Sequence, residues 1–467
     1  MKRVVVVLGV LAVAGFVCGQ TVERVSVSST GEEGNGTSQR TRISDDGRYV
    51  VFESAATNLV PGDTDGAWDI FVHDLLTGAT DCASVDGSGA ALTGSCRGPH
   101  ISGNGRYVSY TCHNPDDDAQ YRAHIYDMQT GDVEVIGSFT GGSTRAAGSL
   151  DYEGRYFLYS RGVLVCGMGW CEWHYMTFLL DRQTQADEVM DGGQSITADG
   201  THVVLELGEF WSLYNIQTGE IVDYGHGDGV SIDDAMALAA FDTYAQLDPQ
   251  DTDNQRDVYL KDLQTGGVTL LTPQSEFWSA SGTSISPDGR YVSYSARAES
   301  PGPADVYRYD CATGETVKVT SSPWSGSAYN GCWGGELCSD PDVVLFESDD
   351  AHLVIGDSNG CDDLFVCYLD GPQPVGLTDD WNLIGYLRPY HEPTLLADCE
   401  IDDGSTVMSW DDAVGVGLVQ AMLYCYEEGV GYTSLATSGA DDDSFRSGCG
   451  YWLLNESGAE LILRIPW

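Results

Sequence analysis

A short cassette of turn and strand residues recurs along most of this chain, and its recurrence constrains the fold more than any other feature. The first copy spans residues 42–78 and reads RISDDGRYVVFESAATNLVPGDTDGAWDIFVHDLLTG. The aliphatic residue Ile43 stands four positions before the turn glycine Gly47, and a β-branched and aromatic run follows at residues 49–52. Asp-Gly reverses the chain because glycine takes positive φ without cost, and the run suits a buried strand.

The cassette returns at regular places. Further copies pair an aliphatic residue with a glycine four positions later, at Ile101/Gly105, Leu150/Gly154, Ile196/Gly200, Ile285/Gly289 and Leu454/Gly458. Two more, beginning at Ile232 and Leu337, lack the glycine. A closing cassette ending in Thr-Gly recurs at Gly78, Gly131, Gly219, Gly266 and Gly314. A period of roughly 35 to 60 residues made of short strands predicts a repeat fold, and four strands per unit indicate propeller blades.

Two segments carry a family resemblance. Ser286-Pro-Asp-Gly-Arg-Tyr-Val-Ser-Tyr294 and the D-x-D-G-x-x-D run from Asp63 to Phe71 resemble the repeat of TolB-like, WD-repeat-like bacterial propellers. The resemblance extends over nearly the whole chain after residue 19. It implies an all-β fold, a single β-propeller of four-stranded blades round a central channel. It implies little about function, because such propellers serve as scaffolds, receptors and occasional enzymes.

The repeat also predicts a blade count and a way of closing the ring. Eight units begin near residues 40, 98, 147, 193, 229, 282, 334 and 394, and a truncated ninth holds the C-terminus. The count favours eight blades, with seven or nine as alternatives. Residues 21–29 resemble the outermost strand of a unit but precede the first repeat. We therefore expect them to complete a blade with residues 452–454 and 461–465, so that residues 20–467 form one domain.

The N-terminus predicts export. Residues 1–19 have the basic start and short apolar run of a secretory signal, which places the protein outside the cytoplasm, secreted or periplasmic. Lipidation at Cys18 is the weaker alternative, because Val17 stands where such signals need a small residue. No other stretch suits a membrane span. Fourteen cysteines in an exported chain indicate disulfides. The closely spaced candidates are Cys82/Cys96, Cys166/Cys171, Cys332/Cys338 and Cys361/Cys367.

The charge of the chain narrows the class of partner. Its 71 acidic residues against 22 basic ones give a formal net charge of -49. Nucleic acid is excluded as a partner, because binding it needs a basic surface that neutralises phosphates. Polyanionic glycans and anionic membranes are disfavoured for the same reason. A protein, a peptide or a neutral glycan is the expected partner of a monomer.

Three acidic loops are candidate cation sites. They share oxygen-bearing side chains at alternate positions and a carboxylate four further on, and consist of Asp63, Asp65 and Asp69; Asp251, Asp253 and Asp257; and Asp357, Asn359 and Asp363. A hard cation such as Ca²⁺ takes such ligands, although the glutamate that completes an EF-hand loop is missing. The alternative is that each run only forms a turn by Asx bonding. We predict no required cofactor, with Ca²⁺ as the candidate ion.

Aromatic residues gather in three segments that depart from the repeat. We predict that a binding surface is formed by the aromatic residues Trp170, Trp173, Trp324, Trp333, Trp381 and Tyr390. Exposed aromatic rings would stack on sugars or hold a peptide. The alternative is that they pack between blades, as most aromatic side chains do.

Signatures of catalysis are missing from the sequence. It contains neither G-x-S-x-G nor H-E-x-x-H. His100 is the clearest histidine on a predicted innermost strand, where a metal-dependent lyase would need several. We therefore favour a binding module without chemistry of its own. The alternatives are a glycan lyase or hydrolase with its active site at the channel mouth, and a structural cell-surface module stabilised by calcium.

Overall fold

The computed structural model describes residues 21–63, 66–86, 89, 91–114, 120–140, 148–167, 170–190, 192–273, 277–298, 302–320, 331–340, 342–350, 353–354 and 359–369, and beyond these the backbone of the strands given below. One compact unit runs over Val22–Cys367 and a second over Tyr368–Trp467. In the described part of the chain we found no helix with the length and apolar character needed to cross a membrane.

The first unit holds seven four-stranded sheets in its described residues, here numbered blades 1 to 7 in chain order. The N-terminal strand is β1 (Thr21–Arg24). Blades 1 to 3 comprise β2 (Ser38–Ile43), β3 (Tyr49–Ser54), β4 (Asp69–Asp74), β5 (Ala79–Cys82); β6 (Cys96–Ile101), β7 (Tyr107–Asn114), β8 (Gln120–Asp127), β9 (Val133–Thr140); and β10 (Ser149–Leu150), β11 (Tyr156–Gly167), β12 (Trp170–Asp181), β13 (Ala186–Met190). Blades 4 to 6 comprise β14 (Gly193–Ile196), β15 (His202–Leu207), β16 (Phe210–Asn215), β17 (Ile221–His226); β18 (Asp228–Ile232), β19 (Leu238–Thr243), β20 (Asp257–Asp262), β21 (Val268–Leu270); and β22 (Ser279–Ile285), β23 (Tyr291–Arg297), β24 (Asp305–Asp310), β25 (Thr316–Lys318). Blade 7 comprises β26 (Cys332–Leu337), β27 (Val343–Ser348), β28 (Asp363–Tyr368) and β1.

The blades form a closed ring. Innermost strands of adjacent blades contact each other, as β2 does with β6 and β22 with β26, and β18 of blade 5 contacts β16 of blade 4. The ring is completed where β26 and β27 of blade 7 contact β2 of blade 1. Hydrophobic clusters fill the spaces between blades, as where Val51 and Ile70 of blade 1 meet Val108 and Tyr110 of blade 2. Middle strands are buried on both faces by this packing, which explains their continuous apolar runs. This topology confirms the predicted all-β propeller.

The ring closes earlier in the chain than we predicted. The N-terminal strand β1 does complete a blade, but its neighbour is β28; Val25 N–H donates to Leu364 C=O at 2.8 Å. Residues 452–454 and 461–465, the predicted partners, lie in strands that pair within the second unit. The described chain therefore forms seven blades, within the predicted range but one fewer than favoured, because the repeat that begins near residue 394 belongs to the second unit.

The second unit consists of short strands whose backbone alone is described. They are β29 (Gln373–Leu377), β30 (Asp380–Tyr386), β31 (Thr394–Leu395), β32 (Glu400–Asp402), β33 (Val407–Ser409), β34 (Met422–Glu427), β35 (Gly431–Ala436), β36 (Ser444–Phe445), β37 (Cys449–Asn455) and β38 (Leu461–Ile465). Among these residues the sheet orders are β29-β38-β32-β33, β30-β37-β34-β35 and β31-β36.

The predicted turn cassette has a defined place in the fold. Its aliphatic residue ends the innermost strand of each blade. In blades 1 to 6 the residue four positions later takes a left-handed conformation, as Gly47 does at φ 74°, while in blade 7 that residue, Pro341, lies outside the described residues. In blade 5, where the glycine is missing, Met236 adopts φ 53° instead. The turn is therefore kept even where the side chain disfavours it.

One disulfide is present among the described cysteines. It joins Cys96 to Cys112, which face each other across β6 and β7. The predicted pair Cys82/Cys96 is therefore wrong, and Cys82 is a free thiol. Cys332, Cys338, Cys361 and Cys367 are also free thiols. Cross-strand register, which brings two Cα atoms close, decides the pairing rather than proximity in sequence. Cys166 and Cys171 are opposite each other in the backbone register of β11 and β12.

Candidate functional site

The innermost strands of all seven blades line a central channel, and the cavity within it has a volume of about 600 Å³. Along the innermost strands, the bulge comes first where a strand has one, then the aliphatic residue of the cassette, then the turn. We call the two ends of the channel the bulge end and the turn end. Residues of both ends border the same cavity, among them Glu206 and Gly229 at the bulge end and Asp45 and Asp234 at the turn end.

A collar of aliphatic side chains surrounds the middle of the channel. Each blade contributes one residue, and the collar consists of Ile43, Ile101, Leu150, Ile196, Ile232, Ile285 and Leu337. Five of these residues also join the clusters between blades, as Leu150 does with Ile125 and Phe157. The collar is therefore both part of the core and the apolar wall of the channel, and the sequence repeat located every member.

The innermost strands carry a β-bulge at the same place in six of the seven blades, over the described residues. A bulge leaves one residue unpaired and disrupts the ladder locally. Gly98, Gly229, Gly282 and Gly334 occupy the position three residues before the collar with φ between 59° and 72°. In blade 1 this position holds Arg40, at φ 56°.

Carboxylates on the neighbouring blade accept hydrogen bonds from these bulges. Glu53 accepts from Gly98 N–H at 2.7 Å, and Asp242 accepts from Gly282 N–H at 3.0 Å. Glu206 accepts from Val230 N–H at 3.0 Å. Glu347 likewise accepts from Thr41 N–H at 3.2 Å. These four carboxylates are not among the residues predicted from the sequence. The sequence pattern that marks these carboxylates is an acidic residue at the fifth position of the second strand of the blade, as in YVVFE, HVVLE, LAAFD and VVLFE.

The bulge end concentrates negative charge. Burial, with Asp228 nearby, raises the pKa of Glu206 to about 7. Burial also raises the pKa of Asp242 to about 6, although Arg256 opposes this shift. Arg256 forms ion pairs with both Asp228 and Asp242. These shifts mean that each carboxylate holds its proton to higher pH than an exposed acid does.

The turn end is acidic as well. Burial, followed by the charges of Asp234 and Asp46, raises the pKa of Asp45 to about 6. The Oδ2 atom of Asp45 is buried and has no hydrogen-bond partner among the described residues. The pKa of Asp234 is raised by burial and by Asp233 and Asp199. A cationic group at this end would therefore relieve both the repulsion and the unsatisfied oxygen.

The balance of charge on the cavity wall is one-sided. The acidic residues that line the cavity, counted over the described chain, are five: Asp45, Glu206, Asp228, Asp234 and Glu336. The one basic residue of that lining is Arg42, which forms an ion pair with Glu336 at 3.0 Å. Burial and, to a lesser degree, the charge of Arg42 lower the pKa of His100 to about 3, so its imidazole is neutral near pH 7.

The structure describes the three predicted cation loops to different extents. In blade 5, one carboxylate oxygen from each of Asp251, Asp253 and Asp257 lies within 4.8 Å of the others. Asp65 of the blade 1 loop lies outside the described residues, while Asp63 and Asp69 are buried. Asp357 of the blade 7 loop also lies outside them. There Asn359 Nδ2 donates to Asp363 Oδ2 at 2.9 Å.

The predicted aromatic surface is described in part. Trp333 is partly buried on β26, next to the bulge of blade 7. Trp170 and Trp173 lie near the start of β12, in a β11–β12 hairpin of twelve-residue strands, with Gly167 opposite Trp170. Trp381 lies on β30, and Trp324 and Tyr390 fall outside the described residues. An aromatic binding surface therefore stays a prediction.

Comparison of the sequence with known families gives one match of limited extent. Residues 180–271 match the family described as Stage V sporulation protein AD (SpoVAD). In the structure this range spans the end of blade 3, blade 4 and blade 5, and it is less than half of the chain. The search of curated proteins gave no match.

Solved structures with a similar fold are distant in sequence. TolB from Acinetobacter baumannii is 17% identical, with a TM-score of 0.38, and the alignment covers 54% of this chain and 60% of TolB. An oligogalacturonate lyase in complex with manganese is 14% identical, with a TM-score of 0.49, covering 75% of this chain and 96% of the lyase. The β-propeller domain of the Trilobed protease from Pyrococcus furiosus is 12% identical, with a TM-score of 0.47 and coverages of 71% and 95%. The strand topology itself makes the first unit a seven-bladed β-propeller, the fold that the resemblance to TolB-like repeats implies.

Proposed function

We propose that the propeller is a binding module for a segment of a protein or peptide that carries a positive charge, and that the segment is held in the central channel. The observation that carries this proposal is the composition of the cavity wall, in which five acids and one arginine accompany an aliphatic collar over the described residues. Clefts lined by charge of one sign attract ligands of the opposite sign.

A lysine or arginine side chain matches this wall in both of its parts. Its aliphatic stem suits the collar, and its charged head suits the carboxylates, because such side chains bury their stems while the charge seeks a polar partner. The cavity of about 600 Å³ is large enough for several side chains of a peptide. A neutral glycan would leave the buried Oδ2 of Asp45 without a counter-charge.

The raised pKa of Glu206 is the observation that would favour an enzyme, since a general acid needs a carboxyl group that is protonated near neutral pH. Its Oε1 atom is however engaged with Val230 N–H. Glu53 and Asp242 make the same bond from the same strand position. We therefore assign these carboxylates to joining the blades rather than to chemistry.

An extracytoplasmic location supports this function. The disulfide between Cys96 and Cys112 needs an oxidising compartment to form and persist. The signal predicted at residues 1–19 lies outside the described residues. We therefore propose that the protein is secreted or periplasmic. We do not propose nucleic acid as a partner, because the net charge of the chain is -49.

A pair of substitutions at Gln194 tests the proposal. This exposed residue lines the cavity, so Gln194→Lys adds a positive charge to the wall and Gln194→Glu adds a negative one. The probes are short Gly/Ser peptides with a central Leu-Arg-Leu, Leu-Gln-Leu or Leu-Glu-Leu, and fluorescence polarisation measures their affinity. We expect the arginine peptide to bind best. Gln194→Lys should weaken it by about 1 kcal/mol, roughly fivefold in Kd, and Gln194→Glu should strengthen it.

Glu315→Gln provides the control, because this exposed acid lies in the turn between β24 and β25 and outside the cavity lining. It should leave every affinity unchanged. Equal binding of the arginine and glutamate peptides would contradict the proposal. So would an arginine peptide whose affinity is the same for both Gln194 variants, because its binding site would then lie elsewhere.

A further inference from the structure

In four blades an aspartate begins the third strand and lies beside a hydroxyl residue that stands two positions after the end of the outermost strand. The backbone shows the correspondence, because the N–H one residue after the aspartate donates to that hydroxyl in each case: Ile70 to Ser84, Val258 to Thr272, Val306 to Thr320 and Leu364 to Ser26. The four aspartates are Asp69, Asp257, Asp305 and Asp363, and each is at most 8% exposed. A buried carboxylate needs a counter-charge as well as hydrogen bonds.

Blades 6 and 7 supply this counter-charge from the outermost strand. Lys318 stands two residues before Thr320, and its Nζ atom lies 2.7 Å from Asp305 Oδ2. Arg24 stands two residues before Ser26, and its Nε atom lies 3.6 Å from Asp363 Oδ2. In these two blades a side chain of the protein itself neutralises the aspartate.

Blade 5 has no such cation at the corresponding position. Leu270 stands two residues before Thr272 and is apolar. Thr272 Oγ1 donates to Asp257 Oδ1 at 2.8 Å, but Asp257 Oδ2 is buried without a hydrogen-bond partner among the described residues. Around it, instead of a lysine or arginine, stand two further acids, Asp251 and Asp253, whose oxygens lie within 4.8 Å of the Asp257 carboxylate.

We propose that Asp251, Asp253 and Asp257 bind a divalent cation of the calcium type. This cation neutralises the buried aspartate of blade 5, as Lys318 and Arg24 neutralise those of blades 6 and 7. Calcium takes six to eight oxygen ligands from carboxylates, backbone carbonyls and water in flexible geometry, and three carboxylates supply a core for such a set. In blade 7 the loop holds Asn359 in place of an acid and has Arg24 beside it, so it needs no ion. This inference is independent of peptide binding in the channel.

Two variants of the full-length protein test the site. The protein is freed of divalent ions with a chelator, and calcium alone is then added while the melting temperature and the heat of binding are followed at constant ionic strength. For the wild type we expect a rise in Tm of roughly 2 to 5 °C when calcium is in hundredfold excess over Kd. Asp253→Asn alters a partly exposed ligand and should lose at least half of that rise and one binding site.

Leu270→Lys places an ammonium group where blade 6 has Lys318. It should raise the Tm of the calcium-free protein and remove one calcium site, so that an internal charge replaces the ion. Glu315→Gln removes an exposed acid elsewhere and should bind calcium as the wild type does. The same calcium-dependent rise in Asp253→Asn, Leu270→Lys and wild type would overturn the proposal, because it would reflect general screening of the net charge. A wild type with neither a rise nor heat of binding would overturn it as well.

Discussion

At the scale of single residues, backbone conformation decides what the bulge of each innermost strand tolerates. Gly282 has φ 71°, and a Cβ atom built on it would meet nothing within 4 Å. Any cost of a side chain there is therefore conformational and not steric crowding by neighbours. Arg40 pays that cost in blade 1, where its Nε atom lies 3.6 Å from Glu53 Oε1.

Replacing Gly282 by alanine should lower the free energy of unfolding by about 1 to 2 kcal/mol, the difference between alanine and glycine in the left-handed region. Urea unfolding followed by tryptophan fluorescence measures it. The converse change, Arg40→Gly, should be neutral or stabilising, because the relief of strain is offset only by the loss of the contact between the exposed Arg40 and the buried Glu53, which keeps its ion pair with Arg97 at 3.1 Å. A Gly282→Ala protein with the same free energy of unfolding as the wild type would contradict this prediction, because it would mean that the bulge can change its backbone conformation at no cost.

At the scale of elements, the joint between β1 and β28 holds the ring shut. Ser26 Oγ donates to Asp363 Oδ1 at 2.7 Å and accepts from Leu364 N–H at 3.2 Å. Both side chains are fully buried. Since the two strands come from opposite ends of the first unit, every contact between them closes a long loop of chain, and closure removes the exposed strand edges.

Substituting Ser26 by alanine should cost about 1 to 3 kcal/mol of unfolding free energy, because it removes the two buried hydrogen bonds that the Ser26 hydroxyl makes with Asp363 Oδ1 and Leu364 N–H. Thr269→Ala removes an exposed hydroxyl from the outermost strand of blade 5 and should change stability by no more than about 0.5 kcal/mol. Equal effects of the two substitutions would mean that the joint contributes no more than a surface position.

At the scale of the whole molecule, two groups of acids give the stability opposite dependences on pH. The hydrogen bond from Arg155 lowers the pKa of Asp181 to about 2. Burial opposes a similar shift at Asp310, but hydrogen bonds from Ala312 N–H and Arg290 lower its pKa overall. Such acids stabilise the fold above their unfolded pKa near 4, and this contribution is lost as the pH falls towards the folded pKa. Glu206 and Asp242, with raised pKa values of about 7 and 6, bind protons more tightly in the folded state. Their stabilising contribution is present below their unfolded pKa near 4 and is lost as the pH rises through the folded pKa values.

The melting temperature in calcium-free buffer should therefore be highest near pH 4 to 5 and fall towards pH 7. Differential scanning fluorimetry at constant ionic strength measures it. Glu206→Gln, which cannot ionise, should flatten the fall between pH 5 and pH 7, whereas Glu315→Gln should not. A melting temperature that rises steadily from pH 4 to pH 7 would contradict the raised pKa values of Glu206 and Asp242 in the folded protein.

Features that short segments encode could be predicted from the amino-acid sequence alone. Asp-Gly turns, buried apolar strands and the collar residue of each blade, from Ile43 to Leu337, followed from the cassette, because turn and strand preferences act over a few residues. The acidic spacing of Asp251, Asp253 and Asp257 was visible for the same reason.

Features that depend on residues distant in the chain became visible in the folded structure. It set the ring at seven blades by pairing β1 with β28, and it joined Cys96 to Cys112 instead of Cys82. It also showed that Leu270 stands in blade 5 where Lys318 and Arg24 supply a cation in blades 6 and 7. Closure and register follow from contacts across long loops and between strands, and no local pattern of residues fixes them.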